Sequence, residues 1–252
     1  LFIIEGSKLF MEAPVEMIAE VYLTEGFADK YGNGEVTNQL ARLTGKVIEL
    51  VSEEVFRKMS ATLTPQGILC VLKRKEPDLS QLLKRGNGQN RSAPFWLVLE
   101  DIQDPGNLGT IMRTAEGAGV DGIIMSRGCV DIYNPKTIRS TMGSIFRVPF
   151  VYVDHLETTI NLLKESGVRV FAAGLSGAMP IQYDAGEYVG GTAFLIGNEG
   201  KGLTAETAGC ADVNVRIPME GQVESLNAAA ATAILLYEVY RQRRSRGSFA
   251  EL

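Results

Sequence analysis

The chain has 252 residues, 45% of them apolar and 22% charged, with a formal net charge of −5. This is a globular composition with enough apolar material for a sizeable core, which excludes disorder over most of the length. The longest nearly uncharged apolar run, Leu226 to Tyr237, is too short to cross a bilayer, and Leu1–Ile4 is too short an apolar block, with no basic flank, to read as a signal peptide.

In chain order, the first 80 residues alternate between helical and strand patterns. Glu5–Ala13 reads as a helix, and Ile18–Leu23 as a strand ending at Thr24-Glu25-Gly26. Val36–Leu43 reads as a helix and Val47–Val51 as a strand. Ser52 opens another helix as its N-cap, and Gly67–Leu72 is a buried strand. The composition then shifts at Ser80–Pro94 to Gly, Asn, Ser, Lys and Arg, and apolar periodicity stops, which predicts a basic flexible linker.

Beyond it the strands are stronger. Phe95–Leu99, Gly122–Met125, Phe150–Val153, Val168–Ala173, Thr192–Ile196 and Val213–Arg216 read as strands. Leu108–Ala118, Pro135–Met142, Leu156–Glu165 and Leu226–Arg243 read as helices. Such alternation means an α/β domain with a mostly parallel sheet and helices on both faces. The expected organisation is a small α/β module at 1–80, a linker at 81–94 and a larger α/β domain at 95–252.

The residue inventory narrows the chemistry. Cys70, Cys129 and Cys210 lie far apart and no His/Cys cluster exists, which argues against disulfides and against a zinc or other metal site, and favours the cytoplasm. His155 is the only histidine, at the start of a predicted helix, and reads as structural or solvated. The net charge argues against nucleic acid, but local runs do not. Lys73–Arg91 holds six bases against two acids, and Arg241–Arg246 holds four arginines and no acid. Such segments suit a phosphate backbone; their plainer reading is a solvated linker and a frayed helix end.

Three glycine-containing turns follow strands in the second domain, where ligands of parallel sheets gather. In Asp104-Pro105-Gly106-Asn107-Leu108-Gly109, Asn107 can cap the next helix, and Gly109 and Arg113 share one helical face, so that backbone can come close while the guanidinium meets an anion. In Gly197-Asn198-Glu199-Gly200-Lys201-Gly202, the amides are free to bind, and Glu199 suits a cation or a hydroxyl better than a phosphate. In the third, Ile217-Pro218-Met219 precedes Ser225-Leu226-Asn227: Ser225 reads as the N-cap of the last helix, Asn227 as a first-turn residue, and Ala228–Ala231 as a smooth packing strip. No G-x-G-x-x-G is present, which weighs against a dehydrogenase.

Together, Asn107-x-Gly109-x-x-x-Arg113, Ile196-Gly197-Asn198-Glu199-Gly200-x-Gly202 and Ile217-Pro218-Met219 with Ser225-Leu226-Asn227 resemble, in order, the three motifs of the SpoU (TrmH) RNA ribose methyltransferases. The resemblance covers about Phe95 to Arg243; the first module, with Phe2-x-x-Glu5-Gly6, resembles the family's accessory substrate-binding domain. It implies a SPOUT fold with a C-terminal trefoil knot, an exception to the unknotted-chain rule. It also implies a homodimer, S-adenosylmethionine as methyl donor, and methylation of a ribose 2′-hydroxyl in RNA, ribosomal by analogy and transfer RNA as the alternative. Mapped by motif, Gly197, Ile217, Met219 and Leu226, with Gly174 and Leu175, would cradle the cofactor. Arg113, Asn107, Glu199, Ser225 and Asn227 would form the catalytic shell. A guanidinium is a poor base, so Arg113 is expected to hold a phosphate and stabilise the developing alkoxide, with Asn107 and Asn227 orienting it and the hydroxyl. A non-catalytic RNA-binding protein of the same fold is the remaining alternative; the joint presence of these polar residues weighs against it.

Overall fold

The computed structural model describes residues 1–31, 34–75, 78–86, 93–174 and 180–246. Its N-terminal part is built from β1 (Phe2–Glu5), α1 (Ser7–Glu12), β2 (Ile18–Leu23), α2 (Glu25–Tyr31), α3 (Glu35–Ala41), β3 (Val47–Leu50), α4 (Glu53–Met59) and β4 (Ile68–Leu72). The strands form a sheet of order β1-β4-β2-β3, antiparallel except for the β2/β3 pair. Ser52 caps α4 by accepting from the Val55 N–H, as its sequence position leads one to expect.

Three features here differ from the sequence reading. The helix expected over Glu5–Ala13 begins only at Ser7, and Phe2–Glu5, with no element expected before Glu5, is a strand paired with β4, because Phe2 and Ile4 alternate into the core. Thr24-Glu25-Gly26, read only as the end of a strand, opens α2, with the Thr24 hydroxyl accepting from the Phe27 N–H. The expected linker begins with a helix, α5 (Leu79–Gly86). Leu82 anchors it, buried in one cluster with Trp96, and Leu79 and Leu83 pack partly buried against that cluster, so the three leucines of a short stretch dock the segment. Residues 87–92, including Arg91, lie outside the described residues.

The second part continues with β5 (Phe95–Leu99), α6 (Pro105–Ala118), β6 (Gly122–Ser126), α7 (Pro135–Thr141), β7 (Phe150–Val153), α8 (Leu156–Glu165), β8 (Arg169–Ala173), β9 (Ile181–Gln182), β10 (Thr192–Ile196), α9 (Ala205–Gly209), β11 (Val213–Arg216) and α10 (Ala228–Ser245). Among the described residues, the seven strands form one parallel sheet of order β7-β6-β5-β10-β8-β11-β9. The central strands β5 and β10 are buried at every position, the signature of a sheet covered on both faces. Phe95, Leu97 and Leu99 face α6 and α10 on one side; Trp96 and Val98 face α5 and α8 on the other.

The two parts share one hydrophobic cluster. Phe2 packs against Tyr133 at 4.5 Å between ring centres with the rings tilted by 42°, and the Tyr133 hydroxyl donates to the Lys75 carbonyl at 3.0 Å. Arg147 bridges Glu12 of α1 and Glu116 of α6.

The basic C-terminal tract is not a frayed end. Helix α10 runs through it to Ser245. Arg241 pairs with Glu238, and Arg246 with Glu187. Arg243 is buried, donating to the carbonyls of Ala93, Pro94, Tyr188 and Gly190. Arg243 thus ties α10 to the segments around Pro94 and Tyr188, while Arg241, Arg244 and Arg246 stay exposed on the surface.

Candidate active site

The three turns singled out in the sequence meet at the carboxyl ends of β5, β10 and β11. Helix α6 starts with Asp104 as N-cap, not Asn107: the Asp104 carboxylate accepts from the Asn107 N–H at 2.8 Å, and Pro105 takes the first helical position. An Asp before a Pro is a recognisable helix start, so this cap was available to sequence reasoning. Freed from capping, the Asn107 side chain donates to Glu199 Oε1 at 3.0 Å and accepts from the Asn227 amide at 2.9 Å. Asn227 is itself the N-cap of α10, accepting from Ala229 and Ala230; Ser225, expected in that role, lies two residues before it on a pocket wall. Its amide thus satisfies helix donors with its oxygen and reaches Asn107 with its nitrogen.

Glu199 finds N–H donors where a cation or hydroxyl was expected. It accepts from the backbone of Gln103 and Asp104 and from Asn107, each at 3.0 Å. Burial pushes its carboxyl up, but these three donors outweigh that and hold it below the usual glutamate value. The Asp104 carboxyl is also held low, first by the Asn107 N–H, with Lys136 at 3.5 Å adding attraction.

The glycine-rich loop folds on itself. Asn198 and Gly202 exchange backbone hydrogen bonds, and the Asn198 side chain accepts from Gly200 and Lys201 while donating to the Asp101 carbonyl at 2.8 Å. A Cβ on Gly197 would lie 2.2 Å from Gly202 C and Leu203 N, so that glycine serves the loop's own closure. Glu100, a buried carboxylate at the end of β5, accepts from the N–H and hydroxyl of Thr204, each at 2.8 Å, and from the Thr207 hydroxyl, which pins the far end of the loop. Asp101 carries φ +53°, a strained value for a non-glycine residue; its N–H donates to Ser126 Oγ, whose hydroxyl donates back to its carboxylate.

Beside this network lies a cavity of about 370 Å³. Gly174, Gly197, Ile217, Met219 and Leu226, grouped from the sequence as one cradle, all line it, and so does Ser225, which the sequence assigned to the catalytic shell. Leu175 lies outside the described residues. The sequence reading missed Leu203 and Lys201 on its walls, and Ala228 and Ala231, whose missing bulk opens the cavity. A shallower cleft over Gln103, Asp104, Asn107 and Asn227 shares Asn198, Glu199 and Gly200 with it, so the carboxylate sits where the two meet.

One expectation needs correction. Gly109 does not face a ligand: its Cβ would meet Ser140 Cβ at 2.4 Å and the Thr137 carbonyl at 2.6 Å, so it lets α6 and α7 touch. Arg113, one turn on, is exposed and lines neither cleft of its own chain. Among the described residues, no group of three or more His, Cys, Asp and Glu side chains could hold a metal ion, and no helix is long and apolar enough to cross a membrane.

Known proteins match this arrangement over most of its length. Residues 94–237 match the model of the SpoU rRNA Methylase family, and residues 3–78 match that of the RNA 2′-O ribose methyltransferase substrate-binding domain. A 23S rRNA (guanosine(2553)-2′-O)-methyltransferase, RlmP, of Bacillus subtilis is 37% identical over 78% of this chain and 73% of its own. A 23S rRNA (guanosine-2′-O-)-methyltransferase, RlmB, of Shewanella oneidensis is 32% identical over 97% and 98%. The crystal structure of an AdoMet-bound rRNA methyltransferase from Sinorhizobium meliloti superposes with a TM-score of 0.79 at 31% identity, covering 95% of this chain and 87% of that one. The chain belongs to the SpoU rRNA methylase family, the S-adenosylmethionine-dependent enzymes that methylate ribose 2′-hydroxyls of RNA.

Proposed function

We propose that this chain methylates the 2′-hydroxyl of one nucleotide of large-subunit ribosomal RNA, as a homodimer in the cytoplasm, where ribosomes are assembled. The observation that carries the reading is the unbroken run of hydrogen bonds Asn227–Asn107–Glu199, which ties together three loops distant in sequence at the mouth of a ligand-sized cavity. The relatives that match over most of both chains are named for the same target class.

The residues present fit S-adenosylmethionine. Ile217, Met219, Leu203 and Leu226 give apolar walls for a flat adenine, Gly174 exposes main chain without a Cβ, and Gly197 lets the loop close beside the cavity. When bound, the cofactor supplies a methyl group already activated by its sulfonium. What remains for the protein is to orient a ribose hydroxyl and to help its proton leave. Asn107 and Asn227 hold polar atoms at the joined clefts, Ser225 adds a hydroxyl, and Glu199 fixes Asn107.

Arg113 stands apart on α6 with no ion pair or hydrogen bond among the described residues. In the homodimer its place is the cleft of the partner copy, where its fixed positive charge holds a substrate phosphate and stabilises the developing alkoxide. The same proposal includes the trefoil knot: after running out to β11, the chain returns as α10 across α6 and β10. The domain division at about residue 80, with RNA gripped first by the smaller module, completes the reading.

The test is Arg113→Ala. Methyl transfer to ribosomal RNA should vanish while cofactor affinity stays intact; an equal loss of both would make Arg113 structural. Mixing Arg113→Ala with the pocket-blocking Leu226→Trp should restore activity through hybrid dimers. No restoration would place Arg113 in its own chain's site.

A further inference from the structure

A second cavity of about 370 Å³ lies at the seam between the two parts of the chain. Phe2 and Met17 come from the smaller part, Gln81 and Leu82 from α5, and Tyr133 with residues 145–150 from the larger part. It shares no lining residue with the clefts at the active site. Val148, Pro149 and Phe150 place it at the amino end of edge strand β7, whereas the active site gathers at carboxyl ends of the sheet.

Its lining is specific. Tyr133 and Phe146 are half-buried, each presenting part of a ring, and Tyr133 is held between Phe2 at 4.5 Å and Phe150 at 6.0 Å. The Arg74 guanidinium lies 4.7 Å from the centre of the Tyr133 ring. The charges of Arg74 and Arg147 are answered by Asp131, Glu12 and Glu116. Lys75 is exposed at the rim and makes no ion pair among the described residues. Gln81, also exposed, offers both a donor and an acceptor. Aromatic faces, an amide and one unanswered cation are the equipment for a single nucleotide: a flat base to stack, polar edges to pair and a phosphate to neutralise. A peptide partner would find no acidic or basic run to match, since the other charges are already paired.

We propose that this seam pocket binds one unstacked nucleotide of the substrate RNA, distant from the nucleotide that is methylated. The base packs against Tyr133 and Phe146, Gln81 meets its edge, and Lys75 takes the neighbouring phosphate. Both parts of the chain and the α5 segment between them build the site, so it exists only when the two parts are docked, and RNA held there is registered against the whole enzyme. The inference deepens the ribosomal RNA reading and rests on it.

The test uses the full chain and an unmodified large-subunit ribosomal RNA transcript. Gln81→Trp fills the cavity from the exposed side of α5 without changing charge, and Lys75→Gln removes the cation. Both variants should keep the wild-type melting temperature and S-adenosylmethionine affinity, since neither residue is in the core or at the active site. In filter binding, each should raise the RNA Kd about tenfold, the scale of one lost base stack. In turnover, KM for RNA should rise with kcat unchanged. An unchanged or lower Kd for Gln81→Trp overturns the proposal, and so does a rise confined to Lys75→Gln, which marks general phosphate attraction. Wild-type protein that binds the transcript but transfers no methyl group overturns the functional reading instead, and the binding arm still judges the pocket.

Discussion

Replacing Glu199 by Gln keeps the shape of the side chain and removes its charge. In the wild type, one carboxylate oxygen accepts from Asp104 N and Asn107 Nδ2, and the other from Gln103 N, all at 3.0 Å. A glutamine oxygen can keep the first two. Its NH₂ group must then face the Gln103 N–H, donor against donor. The loss is one charge-assisted hydrogen bond and one stranded donor, about 1.5–3 kcal/mol when dry. Glu199 is only partly buried and water can reach the stranded group, so the lower end, about 1.5 kcal/mol, applies. For a chain of this length that is a fall in Tm of about 3–6 °C. The sign with pH is fixed by the direction of the shift. A carboxyl held below its unfolded value stabilises above that value and loses the contribution as pH falls through the folded one. Urea denaturation of wild type and Glu199→Gln should therefore differ most at neutral pH and converge below about pH 4. A gap that persists unchanged into acid, or no gap at pH 7, would refute the assignment of the carboxylate as the anchor of the loop.

Other perturbations separate the roles of neighbouring groups. Asn227→Ala should cost about 1 kcal/mol as a lost helix cap; Asn227→Ser should restore stability in chemical denaturation but not methyl transfer, because serine cannot reach Asn107. Full activity in the serine variant would show that the Asn227–Asn107 bond is dispensable. Gly197→Ala puts a Cβ against the backbone of Gly202 and Leu203, so calorimetric S-adenosylmethionine affinity should fall more than tenfold; an unaffected Kd would mean that the loop does not wall the cofactor site. Arg243→Met leaves four carbonyls without their buried donor and should destabilise by about 3 kcal/mol or more, seen as a Tm loss of about 6 °C or more. A melting curve unchanged in that variant would return the basic tail to solvent.

Glu5–Ala13, Ser225 and Arg113 show where reading the chain stops. The order of strands and helices after Pro94 was legible because β5 and β10 are apolar throughout and because prolines, glycines and capping residues punctuate the chain. The first strand was not legible: four residues beside a helix carry too short a period to separate from it, and β1 is a strand only because β4 lies alongside. The same holds for α5, where Leu82, with Leu79 and Leu83 beside it, docks a segment whose composition otherwise reads as a linker.

At the site, motif spacing was enough to name the residues that wall the cavity, since glycines and apolar side chains after strands have few other uses. It could not say who holds whom. Asn107 and Ser225 both had the chemistry of a helix cap; Asp104 before Pro105 was legible as the cap of α6, but only three-dimensional neighbours decided that Asn227 caps α10 and that the Asn107 side chain joins Glu199 to it. Local chemistry along a chain determines what each residue can do; which of its options it takes depends on partners ninety or more positions away, and those distances close only when the sheet brings the strand ends together.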